Sequence, residues 1–230
     1  MAKTTVGSMS DWSGVLKDFF RQIHDGSVTL EQVVAFNEHR DPFTMVNPSD
    51  PVTLADWQKF YCDLFGLNCD FSSLRIPAKR KGFDRLIVVA EGMDSQRLYD
   101  KCAELFPSCK WMNDNLDKIV TSDRTAKDEV YAVWVRDRAE ADEDFKNMSA
   151  NEAKKRNFIG ITLEERLVYE LKFFGETGKH LDTRNITLCS GSRYADGDVP
   201  LVDWSYGKMK VYRCPPDLAH DNLRLREAVS

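Results

Sequence analysis

An α+β fold is what this sequence predicts: a mixed sheet with packed helices, preceded by a small three-helix N-terminal region. Three observations predict it. Apolar residues recur at helical spacing through the first third of the chain. Two unbroken apolar runs, residues 86–90 and 131–135, read as strands covered on both faces. The C-terminal stretch alternates short strand-like runs with turn signals.

In the first predicted helix, Trp12, Val15, Leu16, Phe19 and Ile23 make one stripe. Asp11 caps its start, and Asp25 with Gly26 ends it. Thr29-Leu30-Glu31-Gln32 is a capping box for a second helix running to His39, ahead of Pro42. A third opens at Thr53, carries Leu54, Trp57, Phe60, Tyr61 and Leu64 on one face, and stops at Gly66. Aromatic stripes of this kind, Phe36 included, read as core. Residues 75–82 form an expected linker, because Pro77 and Gly82 break structure there. Its Arg75, Lys79, Arg80 and Lys81 read as a solvated hinge, since no aromatic residue interleaves them for base stacking.

Beyond Gly82 lies the expected α/β domain, residues 83–230, after a helical region over 1–74. Its first strand is followed by a helix from Ser95 bearing Leu98, Cys102, Leu105 and Phe106, ended by Pro107. A short extended stretch follows at 109–112, and the second buried strand covers 131–135. The charged segment 136–156 reads as an exposed helix-turn-helix, its acidic residues pairing with arginines one helical turn away and Ser149 capping its second part. Thr162-Leu163-Glu164-Glu165 is another capping box, opening a helix whose Leu163, Leu167, Leu171 and Phe174 face a core and which ends at Gly175 and Gly178. A β-meander closes the chain: 186–189, 199–204 and 209–214, with turns at Asp196-Gly197 and Tyr206-Gly207.

Composition narrows the function classes. The 230 residues are 42% hydrophobic, 11% aromatic and 30% charged, a globular profile. With 32 Lys+Arg against 37 Asp+Glu, the net charge of -5 gives no overall pull toward nucleic acid or an anionic membrane. No run approaches the roughly 20 apolar residues that span a bilayer, and residues 1–8 lack the apolar core of a secretory signal. A cytoplasmic, soluble protein without membrane contact is expected. Cys62, Cys69, Cys102, Cys109, Cys189 and Cys214 include no C-x-x-C pair, so free thiols are expected and no metal site.

Four stretches carry a resemblance: Tyr131-Ala-Val-Trp-Val-Arg-Asp-Arg138, Gly160-Ile-Thr-Leu-Glu-Glu-Arg166, Gly178-Lys-His-Leu-Asp182 and Thr187-Leu-Cys-Ser-Gly-Ser-Arg193. They resemble a family of uncharacterised bacterial proteins from uncultivated and candidate-phylum lineages. The likeness covers roughly residues 83–230, more weakly the N-terminal helices, and implies a bacterial source without any activity, cofactor or site residue.

The best candidate site is residues 190–198, directly after a predicted strand. Ser190, Gly191 and Ser192 would let backbone N–H groups approach an anion, and Arg193 can grip a phosphate at two points. Asp196 and Asp198 complete the loop. The plainer alternative is a hairpin turn in which Arg193 pairs with a neighbouring acid. Cys189 lies in an apolar pattern and reads as buried rather than nucleophilic. A Mg²⁺ site from two of Asp196, Asp198 and Asp203 with Glu140 or Asp142 would need convergence that spacing does not show. The turn 90–95 lacks G-x-G-x-x-G, and G-x-x-x-x-G-K-[ST], G-x-S-x-G and H-E-x-x-H are missing. The expectation is a non-catalytic cytosolic binding or interaction protein with an anionic ligand, nucleotide or nucleic acid. It would be held by Ser190, Ser192, Arg193, Asp196 and Asp198 with an edge of Arg136 and Arg138. No cofactor is expected. The alternative is a small hydrolase or transferase using the Asp/Arg loop, with or without Mg²⁺.

Overall fold

The structure, a computed structural model, describes residues 9–24, 33 and 51–230. The chain divides into two units, residues 1–47 and 48–230. In the first, helix α1 spans Met9–His24, beginning two residues before the expected cap at Asp11. On it Val15, Leu16, Phe20 and Ile23 are exposed. The expected second helix lies outside the described residues, apart from residue 33, which is helical.

The second unit begins with α2 (Pro51–Phe65), whose Trp57, Phe60 and Tyr61 are buried in the main core as their spacing predicts. Tyr61 donates its hydroxyl to the Val88 carbonyl at 2.7 Å and accepts from the Ala90 N–H at 3.1 Å. This joins α2 to β1 (Arg85–Val89), a strand buried from residue 86 onward. The connector 75–82 belongs to the same unit. Its Pro77 carbonyl accepts from the Trp134 indole at 2.9 Å, and Arg80 lies over Phe83 and pairs with Glu227.

After β1 come α3 (Ser95–Leu105, capped by Asp94), β2 (Ser108–Lys110), α4 (Leu116–Ile119), β3 (Val120–Ser122) and β4 (Tyr131–Val135). The charged excursion then differs from expectation. It holds a single 3₁₀ turn, Glu143–Phe145, and the short helix α5 (Ala150–Lys155), capped by Ser149 as read. Its acids do not make a solvated helical face. Asp142 is buried and accepts from Arg136 at 2.7 Å, while Glu140 caps the backbone N–H groups of Thr183, Arg184 and Asn185.

The long helix α6 (Leu163–Thr177) opens on the capping box of Thr162 and Glu165 and closes on Gly178, whose φ of 66° is left-handed. Gly175 lies inside it. The remainder is β5 (Ile186–Leu188), β6 (Ser192–Tyr194), β7 (Val199–Ser205), β8 (Lys208–Cys214) and β9 (Leu223–Leu225). The class is α+β, built on a mixed sheet of order β2-β8-β7-β5-β9, in which β2–β8 and β5–β9 are parallel. Two antiparallel pairs, β1–β4 and β3–β6, accompany it. Strands β3, β6 and β9 were not anticipated, and residues 121–124 were expected as a polar loop. Each of these strands has three residues, too few for alternation to register.

The main core packs α2, α3 and α6 against β1, β4 and the inner face of the sheet, through Leu98, Leu167, Val202, Met209 and Val211. A smaller cluster, including Leu188, Val199, Cys214 and Leu225, lies under α5. Among the described residues no helix is long and apolar enough to cross a membrane.

Candidate functional site

The candidate loop is stitched on both sides. Gly191 donates its N–H to the Ile161 carbonyl at 3.1 Å, and its own carbonyl accepts from Asp123 at 2.8 Å. Ala195 donates to the Ile119 carbonyl at 2.9 Å. These bonds wedge residues 190–195 between the start of α6 and β3. The small residues serve this close approach. A Cβ on Gly191 would stand 2.7 Å from the Gly160 carbonyl oxygen, and one on Gly160 only 1.8 Å from Ser190 Oγ.

The two hydroxyls point inward. Ser190 Oγ is buried without a hydrogen-bond partner. Ser192 Oγ accepts from the Leu163 N–H at 2.8 Å and shares a 2.7 Å hydrogen bond with Ser122 Oγ. Ser122 and Ser95 both donate to Glu164, at 2.7 and 2.8 Å. Burial holds the Glu164 carboxyl above its ordinary pKa, although the hydroxyl bonds favour its charged form. Beside it, Glu165 receives Arg124 at 2.7 and 2.9 Å. Burial opposes the Arg124 charge, but Glu165 outweighs it and the pKa rises.

The loop's acids turn to β8: Asp196 pairs with Arg213, which also lies 3.5 Å from Asp198. Neither carboxylate meets Arg193. Among the described residues no group of three or more His, Cys, Asp or Glu could hold a metal ion. Cys189 is fully buried, and burial pushes its thiol far up.

Arg193 stands differently. On β6 opposite Thr121, it donates one guanidinium nitrogen to the carbonyls of Ser190 and Ser192, at 2.8 and 2.7 Å. Among the described residues it is the only arginine outside the exposed class with no carboxylate oxygen within 4.0 Å. Burial lowers its pKa, and Asp123 counters this only at longer range. Arg136 is committed to Asp142 and Glu227, at 2.7 and 3.0 Å, and lies over Phe83. Arg138 is exposed, with Asp144 at 4.0 Å. No contact joins this pair to Arg193. Three open clefts of about 460, 500 and 550 Å³ lie on other surfaces, beside α3, around Arg75 and Arg124, and beside Cys62 and Cys69.

Sequence reasoning missed a buried ionic network beyond Glu164. Arg166, wholly buried, reaches Glu170 at 2.8 Å and Asp182 at 2.9 Å. Burial opposes its charge, yet Asp182 and Glu170 raise its pKa. Asp182 also receives Arg226 at 2.7 Å, and Thr187 at 2.6 Å. Glu170 holds His180 Nδ1 at 2.9 Å, with the imidazole stacked on Trp204. The partners come from distant stretches, so no local pattern announces them. The expected core stripe of α6 covers one face, whereas every residue from 163 to 171 is buried.

No family model matches this chain, and neither a curated protein nor a solved structure does. What can be said of its action rests on its own residues.

Proposed function

We propose that this chain is a non-catalytic cytoplasmic binding protein that takes an anionic ligand, the phosphate of a nucleotide or nucleic acid, at Arg193. One observation carries the reading. A half-buried guanidinium has given up part of its hydration without gaining a carboxylate, while its neighbouring acids are engaged by Arg213. A phosphate offers that guanidinium the two-point, charge-assisted bonds it lacks. Arg136 is held in its ion pairs and exposed Arg138 has no contact with Arg193, so the reading rests on Arg193.

Isothermal titration with a nucleoside triphosphate, and with pyrophosphate, tests the reading. Arg193→Ala should weaken binding roughly tenfold or more, as expected for a lost charge-assisted bond, with the unfolding midpoint nearly unchanged. Equal affinity for variant and parent, or no binding by the parent, would remove it.

A further inference from the structure

The outer face of the five-stranded sheet is only half covered. At one end of the strands α5 packs on Leu188 of β5, Val199 of β7, Cys214 of β8 and Leu225 of β9. Toward the start of β8 and β2 the surroundings change. Met209 and Val211 are buried in the main core, so the alternate residues Lys208, Lys210 and Tyr212 point outward. Cys109 of β2 is in register with Lys210, and its thiol lies 3.9 Å from the Tyr212 hydroxyl. Trp111, two residues further, therefore shares this face and is 60% exposed. Its ring lies 5.8 Å from that of Tyr212, tilted by 57°. At the strand end the Tyr206 ring is 92% exposed, with Lys210 Nζ 4.4 Å from its centre.

Neither Lys208 nor Lys210 has a carboxylate oxygen within 4.0 Å, although Asp203 interacts with Lys210 at longer range and the Lys210 ammonium also lies 5.8 Å from the Tyr212 ring centre. Asp203 is in register with Lys210, half-buried, and burial raises its pKa. The face thus interleaves aromatic rings with two lysines, a local positive stripe on a chain whose net charge is -5. The rings of Trp111 and Tyr212, beside neighbouring strands, and of Tyr206 in the turn can each take one unstacked base, and the lysines among them can meet the phosphates. A duplex keeps its bases stacked and offers such rings nothing.

We infer that this open sheet face binds single-stranded nucleic acid, with Trp111, Tyr212 and Tyr206 stacking bases and Lys208 and Lys210 meeting the backbone. The surface is separate from Arg193, which lies on the β3–β6 pair. Fluorescence anisotropy of a labelled single strand of about 12 nucleotides, DNA and RNA, against a duplex of the same length tests it. The single strand should bind and the duplex should bind more weakly. Trp111→Ala and Tyr212→Ala should each weaken binding roughly 5- to 100-fold, and Trp111→Phe, which keeps a ring, should restore most of the loss. Lys208→Glu with Lys210→Glu should flatten the log–log salt dependence by roughly 0.7 per contact removed. Thermal melts of these surface variants should match the parent. The inference is overturned by no binding at roughly 100 μM protein, by equal binding of duplex, or by unaltered binding of Trp111→Ala. Loss with Arg193→Ala alone would also overturn it, while leaving the loop reading in place.

Discussion

At Gly160 and Gly191 two backbones meet with no room for a methyl group between them, and the two obstacles differ. The Gly191 position faces a carbonyl oxygen of another segment, which cannot swing away. The Gly160 position faces the end of a serine side chain, with Ser190 Cβ at 3.1 Å. Gly191→Ala should therefore cost about 1–3 kcal/mol by overpacking, measured by urea denaturation. Gly160→Ala should also destabilise, but Ser190→Gly in the same chain should recover most of the loss. A double-mutant cycle reads that coupling directly. Additive effects would show that the two residues do not meet. The sequence showed that small residues belong in 190–192, because a Gly between two Ser permits close approach. It did not show what approaches. Chain, not ligand, occupies that space, and the fact depends on a segment thirty positions away.

Between elements, charge does the joining. Asp182 bridges Arg166 on α6 and Arg226 beyond β9, so that a helix and a strand edge share one carboxylate in a site closed to water. Asp182→Asn keeps the shape and removes the charge, leaving two buried guanidinium groups against Glu170 alone. The expected loss is about 3–5 kcal/mol, seen as a lower denaturation midpoint with an unchanged slope. A loss below 1 kcal/mol, the range of exposed pairs, would refute the bridging role. At this scale the sequence was most legible where signals are local. The capping box at Thr162, the stop at Gly178 and the Tyr206-Gly207 turn, with φ of 53° and 73°, all stand where their residue types put them. It was least legible where partners are remote. Arg166, Asp182 and Arg226 look like ordinary surface residues until three segments come together. Likewise, Arg193 reads as a loop residue until β6 pairs with β3.

Over the whole molecule, buried acid makes stability depend on pH. Glu164 is 5% exposed and its carboxyl is raised above the ordinary 4.5, first by burial. A carboxyl with a higher pKa in the folded than in the unfolded chain favours folding while protonated. Its contribution is complete below pH 4.5 and is lost as the pH climbs through the folded value. Glu164→Gln, neutral throughout, should therefore gain stability relative to the parent as the pH rises from about 4 to 7, with its amide oxygen accepting from one of the two serine hydroxyls and its NH2 donating to the other. Urea titrations across that range check this, and a difference that is flat with pH would refute it. The class of the fold was legible in the run of helices, buried strands and final meander. The strand order was not, because β5 takes an antiparallel neighbour on one side and a parallel one on the other. That arrangement has a kinetic consequence. Residues 223–229 pair with β5, with Ile161 and Ile159, and with Trp134, a partner 95 positions earlier. Such closures cost loop entropy before any contact rewards them. The chain should fold slowly, with its C-terminal segment docking as a late step that locks the earlier ones.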